Sequence, residues 1–171
     1  LSGAPNAVAK TPSAADRLAI TISTAGGIGL APVSPGTFGS IPGLALGLLL
    51  HTLAVRWWPD ALVSQRQATI VALVIFTALA MWAVARTERF WNTHDDQRIV
   101  ADEVLGMAIG VAFITPTLLH YAVAFGLFRL LDIWKPGPIG WLDEKAPGAW
   151  GTMSDDLLAG ILTALVMVFV F

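Results

Sequence analysis

The chain has 171 residues, 56% of them hydrophobic and 13% charged, and a mean hydropathy of +0.70; a soluble domain carries about 25% charged residues, so lipid is the expected solvent. A net charge of −2 offers no basic surface to nucleic acid, and the absence of cysteine excludes disulfides, thiolate zinc sites and a cysteine-nucleophile phosphatase. The length suits a single domain over residues 1–171, with neither an internal repeat nor a low-complexity linker to divide it.

In chain order, Leu1 to Ala15 is small, polar and Pro-containing, without the apolar core of a signal peptide, and reads as a mobile tail whose first residues are a processing remnant. Arg17 to Leu30 is moderately apolar and carries Gly26, Gly27 and Gly29, which predicts an interfacial or re-entrant helix. Phe38 to Trp57 is almost uninterrupted apolar sequence, and its 20 residues cover about 30 Å as a helix, the thickness of a bilayer core. Gln67 to Arg86 repeats the pattern after a turn at Trp58-Pro59-Asp60, so the two form a hairpin with Trp57 and Trp58 as interfacial aromatics. Val104 to Ile133 is apolar again but broken at Thr115-Pro116-Thr117, which predicts two short helices around a tight turn. Leu157 to Phe171 supplies a short last span. The expected fold is therefore an all-α polytopic bundle of four to five membrane-embedded helices, two of them short around the Pro break.

Cytoplasmic loops are enriched in Lys and Arg close to helix ends. With the N-terminus inside, Lys10, Arg17, Arg86, Arg89, Arg98, Lys135 and Lys145 share one face, and Arg56 and Arg66 lie on the other. The loops around Pro35, from Glu88 to Glu103 and from Lys135 to Asp156 then all reach the cytoplasmic face.

Those loops hold the residues capable of chemistry. Asp102 and Glu103 open the third apolar region, Asp132 lies near its end, and Asp155 and Asp156 precede the last span. Carboxylates gathered at one membrane boundary repel one another unless a cation lies between them, and hard oxygen donors suit Mg²⁺, with Mn²⁺ as a substitute. The plain alternative is that Asp102, Asp155 and Asp156 cap helix N-termini, but that explains Asp132, near a helix C-terminus, poorly. Arg129, Asp132 and Lys135 are three apart and share a helical face, so Asp132 is placed to take an ion and the two cations to neutralise phosphate; an intrahelical salt-bridge ladder is the competing reading. Ser34-Pro35-Gly36-Thr37 enters the first span, where free backbone N–H groups can receive an anion, or where it is only a capped turn. His94, beside Asp95 and Asp96, is either a proton shuttle, a metal neighbour or a solvated loop residue, whereas His51 and His120 read as packing or interface residues.

Taken together, Pro35-Gly36-Thr37 with Gly39-Ser40, Asp102-Glu103 with Gly106, Phe128-Arg129 with Asp132 and Lys135-Pro136, and Asp155-Asp156 with Ala159-Gly160 resemble the phosphatidylglycerophosphatase A family over Ile28 to Leu162. His94-Asp95 is similar to a His-Asp pair of that family, and Trp150-Gly151-Thr152-Met153 to its approach to the last aspartates. The resemblance implies a bacterial inner-membrane, Mg²⁺-dependent enzyme, active on the cytoplasmic face, that converts phosphatidylglycerophosphate to phosphatidylglycerol and phosphate. Asp102, Glu103, Asp132, Asp155 and Asp156 would be the metal set; Asp102, Glu103, Asp132, Asp156 and His94 the catalytic set; Arg129, Lys135, Ser34, Gly36 and Thr37 the phosphate-binding set. Partners are then the lipid substrate and surrounding lipids. A small ion or solute transporter using the acidic cluster is the rival class, although transport needs polar residues at the midplane and here they gather at one face. A non-catalytic membrane subunit with acid-capped helices is the third reading.

Overall fold

The computed structural model describes residues 11–171, and most of the predicted tail lies outside them. Every regular element among the described residues is helical: α1 (Ala14–Ser23), a 3₁₀ segment (Ala25–Leu30), α2 (Pro35–Trp57), α3 (Leu62–Trp91), α4 (Ala101–Val111), α5 (Leu118–Trp134), α6 (Pro138–Lys145) and α7 (Gly148–Val170). Helices α2, α3 and α7 are long and apolar enough to cross a membrane. α4 and α5, with 11 and 17 residues, fall short of the roughly 20 that an upright crossing needs, so the predicted four to five embedded helices reduce to three self-sufficient spans. The break between α4 and α5 falls at Thr115-Pro116-Thr117, and Thr117 caps α5 by accepting the His120 N–H.

Several boundaries differ from the hydropathy pattern because that pattern stops at charge while the helix does not. α1 begins at Ala14, inside the predicted tail, held by a capping box between Ser13 and Asp16. The expected loop at Pro35 is the first turn of α2, with Pro at its opening positions. α3 runs on to Trp91, which makes Glu88 helical. α7 starts at Gly148, nine residues before the predicted span, and α6 occupies most of the rest of the expected loop. Asp155 and Asp156 thus stand two turns inside a helix, too deep to cap its N-terminus.

α4 is the centre of the bundle, sandwiched between α2 and α7. Helices in lipid gain little from apolar burial against each other, so close backbone packing at small residues has to supply the attraction. On α2 the buried face reads Gly39, Gly43, Gly47, and a side chain at any of these would strike Val100, Val104 to Met107 or Ala108 to Val111. On the other side of α4, Gly106 lies against Gly160 of α7 so closely that a Cβ on Gly160 would overlap the Gly106 backbone. The outer faces are apolar: Leu49 and Leu53 of α2, Val71, Val74 and Ile75 of α3, and Leu165 and Phe169 of α7 are exposed, as contact with lipid tails requires. Trp57 and Trp58 mark one end of the bundle; Trp134, Trp141 and Trp150, all exposed, mark the other.

Candidate active site

The Gly106–Gly160 contact sets α4 and α7 close together just where each carries its acids. Asp102 and Asp156 are 7% and 4% exposed, and oxygens of Asp102, Glu103 and Asp156 lie within 4.8 Å of one another. The Asp132 carboxyl, from α5, faces Asp156. Asp102 Oδ1 accepts the Glu103 N–H at 3.0 Å, but Glu103 Oε2 and Asp156 Oδ1 are buried with no hydrogen-bond partner among the described residues. Three carboxylates that bring oxygens this close, two of them with an oxygen left unpartnered, are what a divalent cation would satisfy, so the donor set fits Mg²⁺ or Mn²⁺.

Cations and a helix N-terminus surround this cluster. Arg129 Nη1 donates to Asp132 Oδ2 at 2.5 Å, one helical turn away. Gly36 packs so tightly on the Glu103 carboxylate that a Cβ there would overlap it, and the same Cβ would sit 3.3 Å from Arg129 Nη1. In that first turn of α2, Pro35 has no N–H and Ser34 C=O accepts the Thr37 and Phe38 N–H groups, which leaves Gly36 N–H as the donor without a backbone partner. Ser34 itself is the left-handed N-cap (φ 47°) and its hydroxyl makes no cap bond. The predicted anion cradle therefore narrows to one backbone donor next to one arginine.

The expected Arg129–Asp132–Lys135 stripe is split. α5 ends at Trp134, and Lys135 in the left-handed conformation (φ 47°) turns away from its own helix. Its ammonium donates to Asp143 of α6 at 2.5 Å and to Asp155 of α7 at 2.8 Å. Burial works against that charge, yet the two carboxylates hold Lys135 protonated well above the ordinary lysine range. A raised folded-state pKa means that this tie is complete below the unfolded lysine value and is lost only as pH rises past the folded one, so it persists through the whole neutral and mildly alkaline range. Asp155 is therefore engaged by Lys135, outside the trio formed by Asp102, Glu103 and Asp156.

His94 meets Glu88. Glu88 Oε1 accepts the Thr152 hydroxyl at 2.6 Å and the Asp95 N–H at 3.2 Å, and lies 3.1 Å from His94 Nδ1. The Glu88 contact orients the His94 ring, whose side chain is otherwise largely exposed. Glu88 is 7% exposed and Thr152 4%. Neither was visible as a site residue in the sequence, because Arg86-Thr87-Glu88-Arg89 has the composition of a solvated helix end. The loop that continues to α4 is pinned by Val100 N–H on Ser23 C=O, by Arg98 on Asp96, whose carboxyl it holds below the usual range, and by Arg98 stacked 4.0 Å over Trp91. E88Q keeps the size and one acceptor but not the charge; weakening the Thr152 and Asp95 hydrogen bonds is expected to cost about 1 kcal/mol or more, read as a lower melting temperature than the parent's in the same detergent.

The family model for phosphatidylglycerophosphatase A matches residues 21–171. The chain is 34% identical over 145 residues to the Escherichia coli (strain K12) phosphatidylglycerophosphatase A, covering 84% of this chain and 78% of that one. It is 35% identical over 146 residues to the Haemophilus influenzae protein of the same name, covering 82% and 81%. A Bacteroides thetaiotaomicron protein provisionally named a phosphatidylinositol-3-phosphatase is 34% identical over 157 residues, covering 88% and 91%. No solved structure gives a significant match. A family match over nearly the whole described chain, with every acid of the site inside it, means that the chain belongs to the phosphatidylglycerophosphatase A family.

Proposed function

We propose that this chain is a Mg²⁺-dependent membrane phosphatase that hydrolyses the terminal phosphate monoester of phosphatidylglycerophosphate, giving phosphatidylglycerol and phosphate, at the cytoplasmic face of a bacterial inner membrane. The observation that carries the reading is the buried carboxylate trio with orphaned oxygens, set beside Arg129 and the N-terminus of α2. The relatives' names supply the substrate. α4 and α5 are read as embedded half-spans that carry Asp102, Glu103 and Asp132 at the inner boundary, so four to five helices would contact the membrane.

Asp102, Glu103 and Asp156 would hold the ion, with Asp132 alongside. When bound, Mg²⁺ supplies charge that polarises the phosphoryl group and makes water a stronger nucleophile. The residues of the chain do the rest. Arg129 exchanges its contact with Asp132 for the phosphate oxygens and, with Gly36 N–H, stabilises the negative charge as it develops. Lys135 fixes Asp155, and through it the α7 turn that bears Asp156, and offers its remaining N–H to the headgroup. His94, oriented by Glu88, is placed to pass a proton between the site and solvent. Substrate tails lie in the bilayer, so selection rests on the polar headgroup.

Purified protein in mixed micelles should release phosphate from phosphatidylglycerophosphate, lose that activity with EDTA, and regain it with excess Mg²⁺; release unaffected by chelation would remove the metal reading. Because one relative is named for another lipid phosphate monoester, phosphatidylinositol 3-phosphate belongs in the same assay. K135M is expected to lower kcat/KM by about tenfold, the order expected for one charge-assisted contact, while K135R, which keeps the charge, recovers part of it.

A further inference from the structure

At the end of the bundle opposite the carboxylates, two cavities meet at one cation. The first, about 60 Å³, is lined by His51 of α2, by Gln65, Arg66 and Thr69 of α3, and by Phe113 just beyond α4. The second is an open apolar groove of about 320 Å³ that has Arg66 at its head and Ile70, Ile109, Phe113, Ile161 and Leu165 along its walls. Gln65 is already committed to the Trp58 and Pro59 carbonyls, where it closes the α2–α3 turn. Thr69, only 4% exposed, lines the first cavity beside Arg66. Arg86, Arg98 and Arg129 each pair with a carboxylate, but Arg66 has none among the described residues.

Arg66 lies one turn inside α3 and is exposed at a membrane boundary, where its long side chain reaches the headgroup layer and lipid phosphate is the available counter-charge. Arg66 and Glu88 are 22 residues apart on the same helix, about 33 Å at 1.5 Å per residue, which puts this feature across the membrane from the acids. We propose that the two cavities form a binding site for an anionic phospholipid of the opposite leaflet. Its phosphate is held by Arg66 and Thr69, with His51 at the edge, and one acyl chain lies along Ile70, Ile161 and Leu165. Charge selects this occupant over a second copy of the chain: that end of the molecule carries Arg56 and Arg66 against Asp60 alone, so a second copy would bring a net positive surface to Arg66. An anionic headgroup above an apolar tail satisfies both cavities at once.

Native mass spectrometry of the full chain, released from detergent with equal phosphatidylglycerol and phosphatidylcholine, reads this site without reference to phosphatase activity. The parent and R56Q, which alters a cation lining neither cavity, should retain phosphatidylglycerol in preference to phosphatidylcholine. R66Q should reduce that preference about fivefold, the order expected for one arginine at an anionic lipid surface, and T69V should reduce it less. Equal retention of both lipids by the parent, or an R66Q preference matching R56Q, would overturn the proposal. So would a dimer that forms as phosphatidylglycerol leaves, which would assign the groove to a second copy. Should R66Q fail to fold, T69V, which is close to isosteric, decides alone, and an unchanged preference there overturns the site.

Discussion

Replacing Asp156 with asparagine is expected to lower phosphate release on the order of 10³-fold, the rate equivalent of about 4 kcal/mol of lost transition-state stabilisation, and yet to leave the metal-free protein at least as stable as the parent. The two signs come from the same geometry. Asp156 is 4% exposed, faces Asp132, shares a cluster with Asp102 and Glu103, and keeps one oxygen without a partner among the described residues. With no cation present, its charge repels three neighbours and that oxygen gains no hydrogen bond to offset desolvation, so the amide relieves strain. With a cation present, the same change removes a ligand. Thermal melts of parent and D156N, each with EDTA and with Mg²⁺, check this directly: the ion should raise the melting temperature of the parent much more than that of the variant. D102N should follow the same pattern, since Asp102 is 7% exposed within the same trio. A residue with a purely structural role would show the reverse, with lower stability in EDTA and an unaltered response to the ion.

The second large effect is steric. G160A adds a single methyl group, but that Cβ would overlap the carbonyl of Gly106 and come within 2.8 Å of its C and Cα, all backbone atoms that cannot rotate aside. The helices must part, at a cost of about 1–3 kcal/mol for overpacking of this kind. Parting α4 from α7 also moves Asp156 away from Asp102 and Glu103, so activity falls further than stability alone explains. G126A on α5 provides the contrast, because a Cβ there meets nothing within 4 Å. It should be neutral or stabilising by up to about 1 kcal/mol through helix propensity. Melting temperatures of the two variants in the same detergent should therefore move in opposite directions.

Which of these features could be read from the sequence follows from the physics each obeys. Spans α2 and α3 and the break at Pro116 were legible, since an apolar run of bilayer length and a proline that cannot donate are local signals. Asp102, Glu103, Asp132, Asp155 and Asp156 were legible as a group of candidates, because they are rare charges inside or beside apolar runs; the structure brings oxygens of Asp102, Glu103 and Asp156 together. The start of α7 was not, for hydropathy treats Asp155 and Asp156 as an end when burial in the bundle allows the helix to pass through them. The glycines Gly39, Gly106 and Gly160 were recognisable as parts of a pattern; that they are contact points between backbones required the packing of three helices. The partners of Lys135 were hidden for a different reason. A helical stripe set it on one face with Arg129 and Asp132, but the left-handed end of α5 carries it to Asp143 and Asp155, on two other elements. The pairing of Glu88 with Thr152, 64 residues apart, had no local signal, although Thr152 stood in a recognisable stretch.

The proposed function turns on Asp102, Glu103 and Asp156 enclosing one divalent cation. Anomalous diffraction from crystals of the full chain soaked in Mn²⁺ tests it most directly. A peak is expected within coordination distance of an oxygen from each of the three, absent from D156N crystals soaked in the same way. A peak elsewhere on the protein with this cluster empty, or no bound ion in protein that releases phosphate, would contradict it.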